Sequence, residues 1–199
     1  MRGTRIFREG YILKKRTTFG EDIRVLGRVK VITICAMLVA MGVVIGILCK
    51  NFLTFGIYYR FTLENLPVFF AAIAFGPFAG AAVGICEDVV SCLCSTNPAV
   101  NPIITVGAAA VGFFAGLISH HVSFKSDNRR IAVSIIAGHL IGQVAIKSIA
   151  KIVMFGMPWW GVFIGLGFSA VAGTIEFIVL RMLFKNSAIQ QGLKGIYKK

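Results

Sequence analysis

The chain has 199 residues, 57% of them hydrophobic and 15% charged, with 21 Lys and Arg against 8 Asp and Glu. A soluble domain is roughly half apolar and a quarter charged, so this composition excludes an ordinary soluble protein. At about 20 apolar residues per span the length holds about six membrane helices and leaves no room for a soluble domain. The net charge of +13 would suit a nucleic-acid binder, but its placement argues otherwise. Nine basic residues precede the first apolar run: Arg2, Arg5, Arg8, Lys14, Lys15, Arg16, Arg24, Arg28 and Lys30. Lys125, Arg129 and Arg130 lie in one hydrophilic internal loop, and Lys185, Lys194, Lys198 and Lys199 follow the last apolar run. The positive-inside rule assigns these segments to the cytoplasm, and no nucleic-acid partner is needed to explain the charge.

The expected fold is an all-α membrane protein, six transmembrane helices in a compact bundle with both termini cytoplasmic. Residues 1–30 form a basic cytoplasmic segment, 31–184 the membrane domain and 185–199 a basic cytoplasmic tail. The N-terminal stretch has no small-residue cleavage site after its apolar run, so the first helix is expected to be retained. That helix covers residues 31–49, and an aromatic outer loop, 50–60, ends at Arg60. The long apolar run that follows is broken at Gly76-Pro77, because proline cannot continue a helical ladder and disfavours helix just before it. It divides into a short helix, 62–75, and a second, 77–94, joined by a tight cytoplasmic turn.

Ser95 to Pro102 reads as an outer loop by its Asn and Pro content. A fourth span covers 102–119, a cytoplasmic loop 120–130 and a fifth span 131–155. Gly156-Met157-Pro158 turns the chain outside, Trp159 and Trp160 sit at an interfacial belt, and the sixth span ends near Phe184. Small residues recur every fourth position at Gly76, Gly80, Gly84, at Ala108, Gly112, Gly116, and at Gly161, Gly165, Ser169, Gly173. Each stripe is suited to close helix packing. The five cysteines, Cys35, Cys49, Cys86, Cys92 and Cys94, form no CxxC pair and read as small buried hydrophobes.

Ionisable groups inside apolar helices are functional-site candidates, since a charge in hydrocarbon is costly unless it faces protein or water. Four residues past Gly84 the glycine stripe reaches Asp88, roughly 16 Å along its helix from Pro77, with Glu87 one step round. On the fifth helix His139, Gln143, Lys147 and Lys151 share a slowly drifting face, the lysines in the outer half. Two readings stand side by side. In one, Lys147 or Lys151 neutralises Glu87 or Asp88 and locks the bundle. In the other, Arg60, Lys147 and Lys151 attract a ligand carboxylate while Glu87 and Asp88 accept hydrogen bonds from a heterocycle. Asn97, Asn101, Phe55, Tyr58, Tyr59, Trp159 and Trp160 then close over the pocket.

Glu176 is expected to pair with Arg181 or another subunit. His120 and His121 read as interfacial. His139 has no second histidine in register, so neither a metal nor a cofactor is expected. Ser91 lacks a base and no nucleophile elbow is present, so catalysis is not expected.

Two motifs resemble those of the S-components of energy-coupling factor transporters, the substrate-binding subunits for vitamins in bacteria. Ala36-Met37-Leu38-Val39-Ala40 matches the AxxxA motif through which S-components pack on their coupling subunit. Arg60-Phe61-Thr62-Leu63, Leu66-Pro67, Phe75-Gly76-Pro77, Gly80, Gly84 and Asp88 resemble the ordered pattern of the folate type. The loop from Ser95 to Pro102 and the extra acid at Glu87 depart from that pattern. The resemblance implies a multi-pass protein of the cell membrane, in contact with membrane lipid, that binds a vitamin at its outer loops. It also implies a transmembrane coupling subunit, docked at Ala36 and Ala40, and two cytoplasmic ATPase subunits. Folate suits the residues: a pterin offers N–H groups to carboxylates, and glutamyl carboxylates suit Arg60 and the lysines. Another vitamin or flat heterocyclic metabolite fits the same residues. An integral-membrane enzyme or a scaffold with structural ion pairs is the alternative from a different class.

Overall fold

Apolar runs punctuated by Gly and Pro set the elements of this molecule, seen in a computed structural model that describes residues 19–52, 54–55, 59–60, 63–94, 101–124, 126–156 and 158–197. In chain order the helices are α1 (Phe19–Leu26), α2 (Val29–Phe52), α3 (Asn65–Phe75), α4 (Pro77–Leu93), α5 (Pro102–His121) and α6 (Asp127–Gly138). A π-helical segment (His139–Lys147) leads into α7 (Ser148–Phe155), and α8 (Gly161–Lys185) and α9 (Ser187–Tyr197) follow. Between α2 and α3 a short antiparallel ribbon pairs β1 (Thr54–Phe55) with β2 (Tyr59–Arg60), Thr54 opposite Arg60. Four helices among the described residues are long and apolar enough to cross a membrane: Val29–Cys49, Pro102–His121, Asp127–Met154 and Gly161–Lys185.

The 11-residue α3 is the central element, apolar on all sides and buried at every position except Phe70. A helix that is hydrophobic all round belongs in an interior. Phe69, Ile73 and Phe75 lie in one core with Val31, Val83, Val111, Ile131, Ile135 and Leu180. The break before Pro77 falls as expected. Gly76 adopts φ 103°, and a side chain there would meet the Asp22 carboxylate at 3.0 Å, so both the backbone and the neighbour demand glycine.

The stripes on α4 and α5 pack directly on one another. Added Cβ atoms at Gly80 and Gly84 would strike the carbonyls of Gly112 and Ala108, and one at Gly116 would strike Pro77. The α8 stripe is different: Gly165 has no neighbour within 4 Å, while a side chain at Gly173 would meet His139 at 3.4 Å. Spacing identifies a face, not what covers it.

Other expectations need correction. α5 continues through His120 and His121, which are not in the loop. Cys86 and Cys94 are exposed, so only Cys35 and Cys49 are the buried hydrophobes expected. The fifth span is not one α-helix, because nine of its residues adopt the wider π form. Both flanking segments carry helices packed on the bundle. Leu193 and Ile196 of α9 and Val25 of α1 join the core, and Arg28 donates from its guanidinium to the carbonyl of Ile196.

At the Gly76 end, α1 is fastened by one carboxylate. Asp22, 1% exposed, has Oδ1 3.4 Å from His120 Nδ1 and Oδ2 3.4 Å from His121 Nε2. His120 Nε2 lies 3.1 Å from the Ile73 carbonyl, and Phe19 stacks on His121 at 4.4 Å. These histidines are therefore packed parts of the fold.

Candidate functional site

The expected polar residues occupy two neighbouring faces of α4. One turns to α5. Asp88 Oδ2 accepts a hydrogen bond of 2.6 Å from the Thr105 hydroxyl, which also lies 3.2 Å from the Asn101 carbonyl. Asn101 is the N-cap of α5: its side-chain oxygen accepts from the Ile103 N–H at 3.1 Å, satisfying a donor that the helix start leaves open. Its Nδ2 lies 2.8 Å from the Met154 sulfur on α7. Asn101 thus orders the end of the bundle near Asp88.

The second face turns to α2. Glu87 is 5% exposed, and its carboxylate lies where a side chain at Gly42 would stand. One turn further, the position opposite Gly46 is filled by Glu64 Oε2 at 3.1 Å and Ser91 Oγ at 3.8 Å. Two glycines on α2 thus make room for polar groups from α4 and the start of α3. Both Glu87 oxygens are buried with no hydrogen-bond partner among the described residues, and so is Asn65 Nδ2. Glu64, Lys147, Asp88 and Glu176 all act electrostatically on Glu87.

Lys147 closes the π segment. It is 9% exposed, and its Cγ lies 2.7 Å from where a Gly107 side chain would begin on α5. Lys151, one turn along α7, is partly buried. A π-helix bonds residue i to i+5, so steps of four no longer hold one face through this segment. The element nevertheless delivers both His139 and Lys147 to the interior.

His139 and Glu176 form a pair that nothing in the sequence announces. His139 Nε2 lies 2.6 Å from Glu176 Oε2, with Glu176 0% exposed. Phe69 packs on the imidazole, ring centres 5.2 Å apart. The expected partner Arg181 is exposed, which corrects the assignment of Glu176 to Arg181 or another subunit. No three His, Cys, Asp or Glu side chains among the described residues could hold a metal ion.

The remaining expected residues are more scattered. Arg60 lies in the ribbon by its backbone, and its side chain is outside the described residues, as are Tyr58 and Asn97 entirely. Trp159 is 73% exposed in the turn before α8, with Phe163 edge-on at 6.5 Å. On α2, Ala36 and Ala40 are exposed beside Met37, while Cys35 and Leu38 face the core. The face bearing these alanines is therefore open.

The model of the family described as "ECF transporter, substrate-specific component" matches residues 30–193, from the start of α2 into α9. Among individually curated proteins no match is found. A bundle of apolar helices holding buried carboxylates and a buried lysine is what a membrane subunit that binds a polar ligand requires, and by the extent of this match the chain belongs to the family of substrate-specific components of ECF transporters.

Proposed function

We propose that the protein captures a vitamin, folate first among the candidates, outside the cell and delivers it inward through ATP-driven partner subunits. The family is one of transporter components rather than enzymes, and its members bind a small ligand and work with a transmembrane coupling subunit and ATPases. The observation that carries the reading is the gathering of Glu87, Asp88 and Lys147 inside an apolar bundle, well away from the Gly76 turn. Charges buried at that depth are retained where a ligand or ion uses them.

In this reading the chain crosses the cell membrane six times, as α2, α3, α4, α5, the α6 to α7 unit and α8. Arg28, Lys30, Arg129, Lys185 and Lys194 belong to the Gly76 end, which supports that end, and both termini, as cytoplasmic. The membrane domain is residues 31–184, flanked by basic segments 1–30 and 185–199. Asn101 and Trp159 lie at the opposite end, and in this reading they meet the ligand together with Arg60, Asn97, Tyr58, Glu87, Asp88, Lys147 and Lys151. Ala36 and Ala40 dock the coupling subunit.

The protein purified from cells, with its retained small molecules identified by mass spectrometry and folate titrated directly, tests the reading. A stoichiometric vitamin supports it. Absence of any retained molecule, together with no binding of folate or other vitamins, overturns it.

A further inference from the structure

We propose that α1 is a pH-sensitive strap, latched over the Gly76 turn by an imidazolium at His120 and released when that ring loses its proton. The strap lies at the Gly76 end, away from Asp88 and Lys147, and does not depend on what the protein binds.

The His120 ring stands between two acceptors. Its Nε2 lies 3.1 Å from the Ile73 carbonyl of α3, and its Nδ1 lies 3.4 Å from Asp22 Oδ1 of α1. A carbonyl and an ionised carboxylate only accept, whereas a neutral imidazole carries one N–H and one lone pair. In the neutral ring one of the two contacts therefore sets a lone pair against an oxygen, and only the imidazolium makes both attractive. Both groups are out of water, Asp22 1% and His120 5% exposed. A buried pair that loses one charge leaves the other desolvated, which is strongly destabilising. His121 adds a second ring: its Nε2 lies 3.4 Å from Asp22 Oδ2, while Phe19 of α1 stacks on it. A cation at either ring thus favours the docked α1.

The other groups around the latch leave the imidazoles to titrate between about pH 5 and 8. On α6, Arg130 donates to Ser119 Oγ at 2.9 Å, beside His120, and keeps its charge throughout. α1 itself adds Glu21 and Arg24. From α3 and α4 come the Ile73 carbonyl, Gly76 and Phe78, the last edge-on to Phe19 at 6.1 Å. Arg28, after α1, donates to the Ile196 carbonyl. The apolar contacts of Phe19 and Val25 do not change with pH and set a residual hold. Docking is therefore firmest below the range in which imidazoles lose their proton, and it weakens as pH rises through that range. Release uncovers Gly76, where the Asp22 carboxylate stands 3.0 Å from the start of any added side chain.

A spin label reads the strap in the full-length protein in detergent. It is attached through Ile23→Cys, at a position 54% exposed on α1, after the five native cysteines are replaced by alanine. The mobile fraction of the label is expected to rise roughly fivefold or more between about pH 5 and 8, with the bundle still folded by its melting transition. His120→Gln, which keeps a polar group of similar size but cannot titrate, is expected to lose most of that rise, and Asp22→Asn to flatten it. His120→Arg, a cation at every pH tested, is expected to keep the label ordered throughout. A label whose mobility does not change with pH in the parent protein overturns the latch. So does a rise of undiminished size in His120→Gln, or in His120→Arg should the glutamine variant fail to fold.

Discussion

His139, the first residue of the π segment, and Glu176 on α8 hold each other at 2.6 Å in the interior, bridging thirty-seven residues of sequence. The contact fixes α8 to the element that also carries Lys147. Removing one member of a buried pair leaves the other desolvated and alone, a loss of about 3 to 5 kcal/mol, whereas replacing both by apolar groups is often neutral. His139→Leu is accordingly expected to lower thermal stability in detergent sharply, and His139→Leu with Glu176→Leu to recover most of it. If the double variant is no more stable than the single one, the pair is not what secures α8.

Asp22 gives a second stability prediction at the Gly76 end. Asp22→Ala removes the carboxylate that both His120 and His121 approach, and with it the fastening of α1 to α5. Local opening of such a peripheral element costs less than global unfolding. Limited proteolysis is expected to cut α1 in the variant at a protease level that spares the wild type, with little change in the main melting transition. Equal resistance of the two proteins would show that α1 is held by its apolar contacts alone.

Ala40→Trp tests the docking face. Ala36 and Ala40 are exposed on α2, on the side away from Glu87. A bulky ring there is expected to block assembly with the coupling subunit while leaving ligand affinity of the isolated protein unchanged. Co-purification of the assembled complex with Ala40→Trp at wild-type yield would remove the alanines from the interface.

Arg60 stands at the ribbon, immediately ahead of α3. As a ligand-carboxylate contact it contributes a charge-assisted hydrogen bond, worth about 1.5 to 3 kcal/mol, or roughly 10- to 150-fold in affinity. Titration of Arg60→Ala with folate is expected to show a loss in that range. Wild-type affinity would take Arg60 out of the site.

The parts of this architecture legible in sequence are those that one helix states by itself. Proline at 77 marks the α3–α4 break, and the small-residue stripes at 80 and 84 and at 108 and 112 mark faces fit for close packing, which meet one another, Gly80 at Gly112 and Gly84 at Ala108. What stayed hidden depends on two helices at once. Gly42 and Gly46 carry the same spacing signal as the other stripes, yet their partners are the carboxylates of Glu87 and Glu64, which no periodicity on α2 reveals. Glu176 reads in sequence as a partner for Arg181 or another subunit, because nothing there announces that the fifth span changes its helical pitch and brings His139 to it. The equal spacing of His139, Gln143, Lys147 and Lys151 assumed an α-helix, and the π segment breaks that assumption.

Asp88 separates the ligand-binding reading from the structural lock. Its Oδ2 accepts from Thr105 at 2.6 Å, so the carboxylate is already supported by a neutral donor on α5. If Asp88 serves only to neutralise Lys147 or Lys151, Asp88→Asn leaves a cation unpaired and destabilises the bundle, and a matching Lys→Met change restores it. If Asp88 holds the ligand, Asp88→Asn folds normally but binds weakly, because an amide presents donors where the carboxylate only accepted. Thr105 makes the second outcome the expected one: an amide oxygen at position 88 can still accept its hydroxyl, so the α4–α5 contact survives the change. Thermal unfolding and folate titration, run in parallel on Asp88→Asn, Lys147→Met and the double variant, distinguish the two. Stability lost in the single variant and regained in the double, with affinity regained alongside, would make Asp88 part of the scaffold.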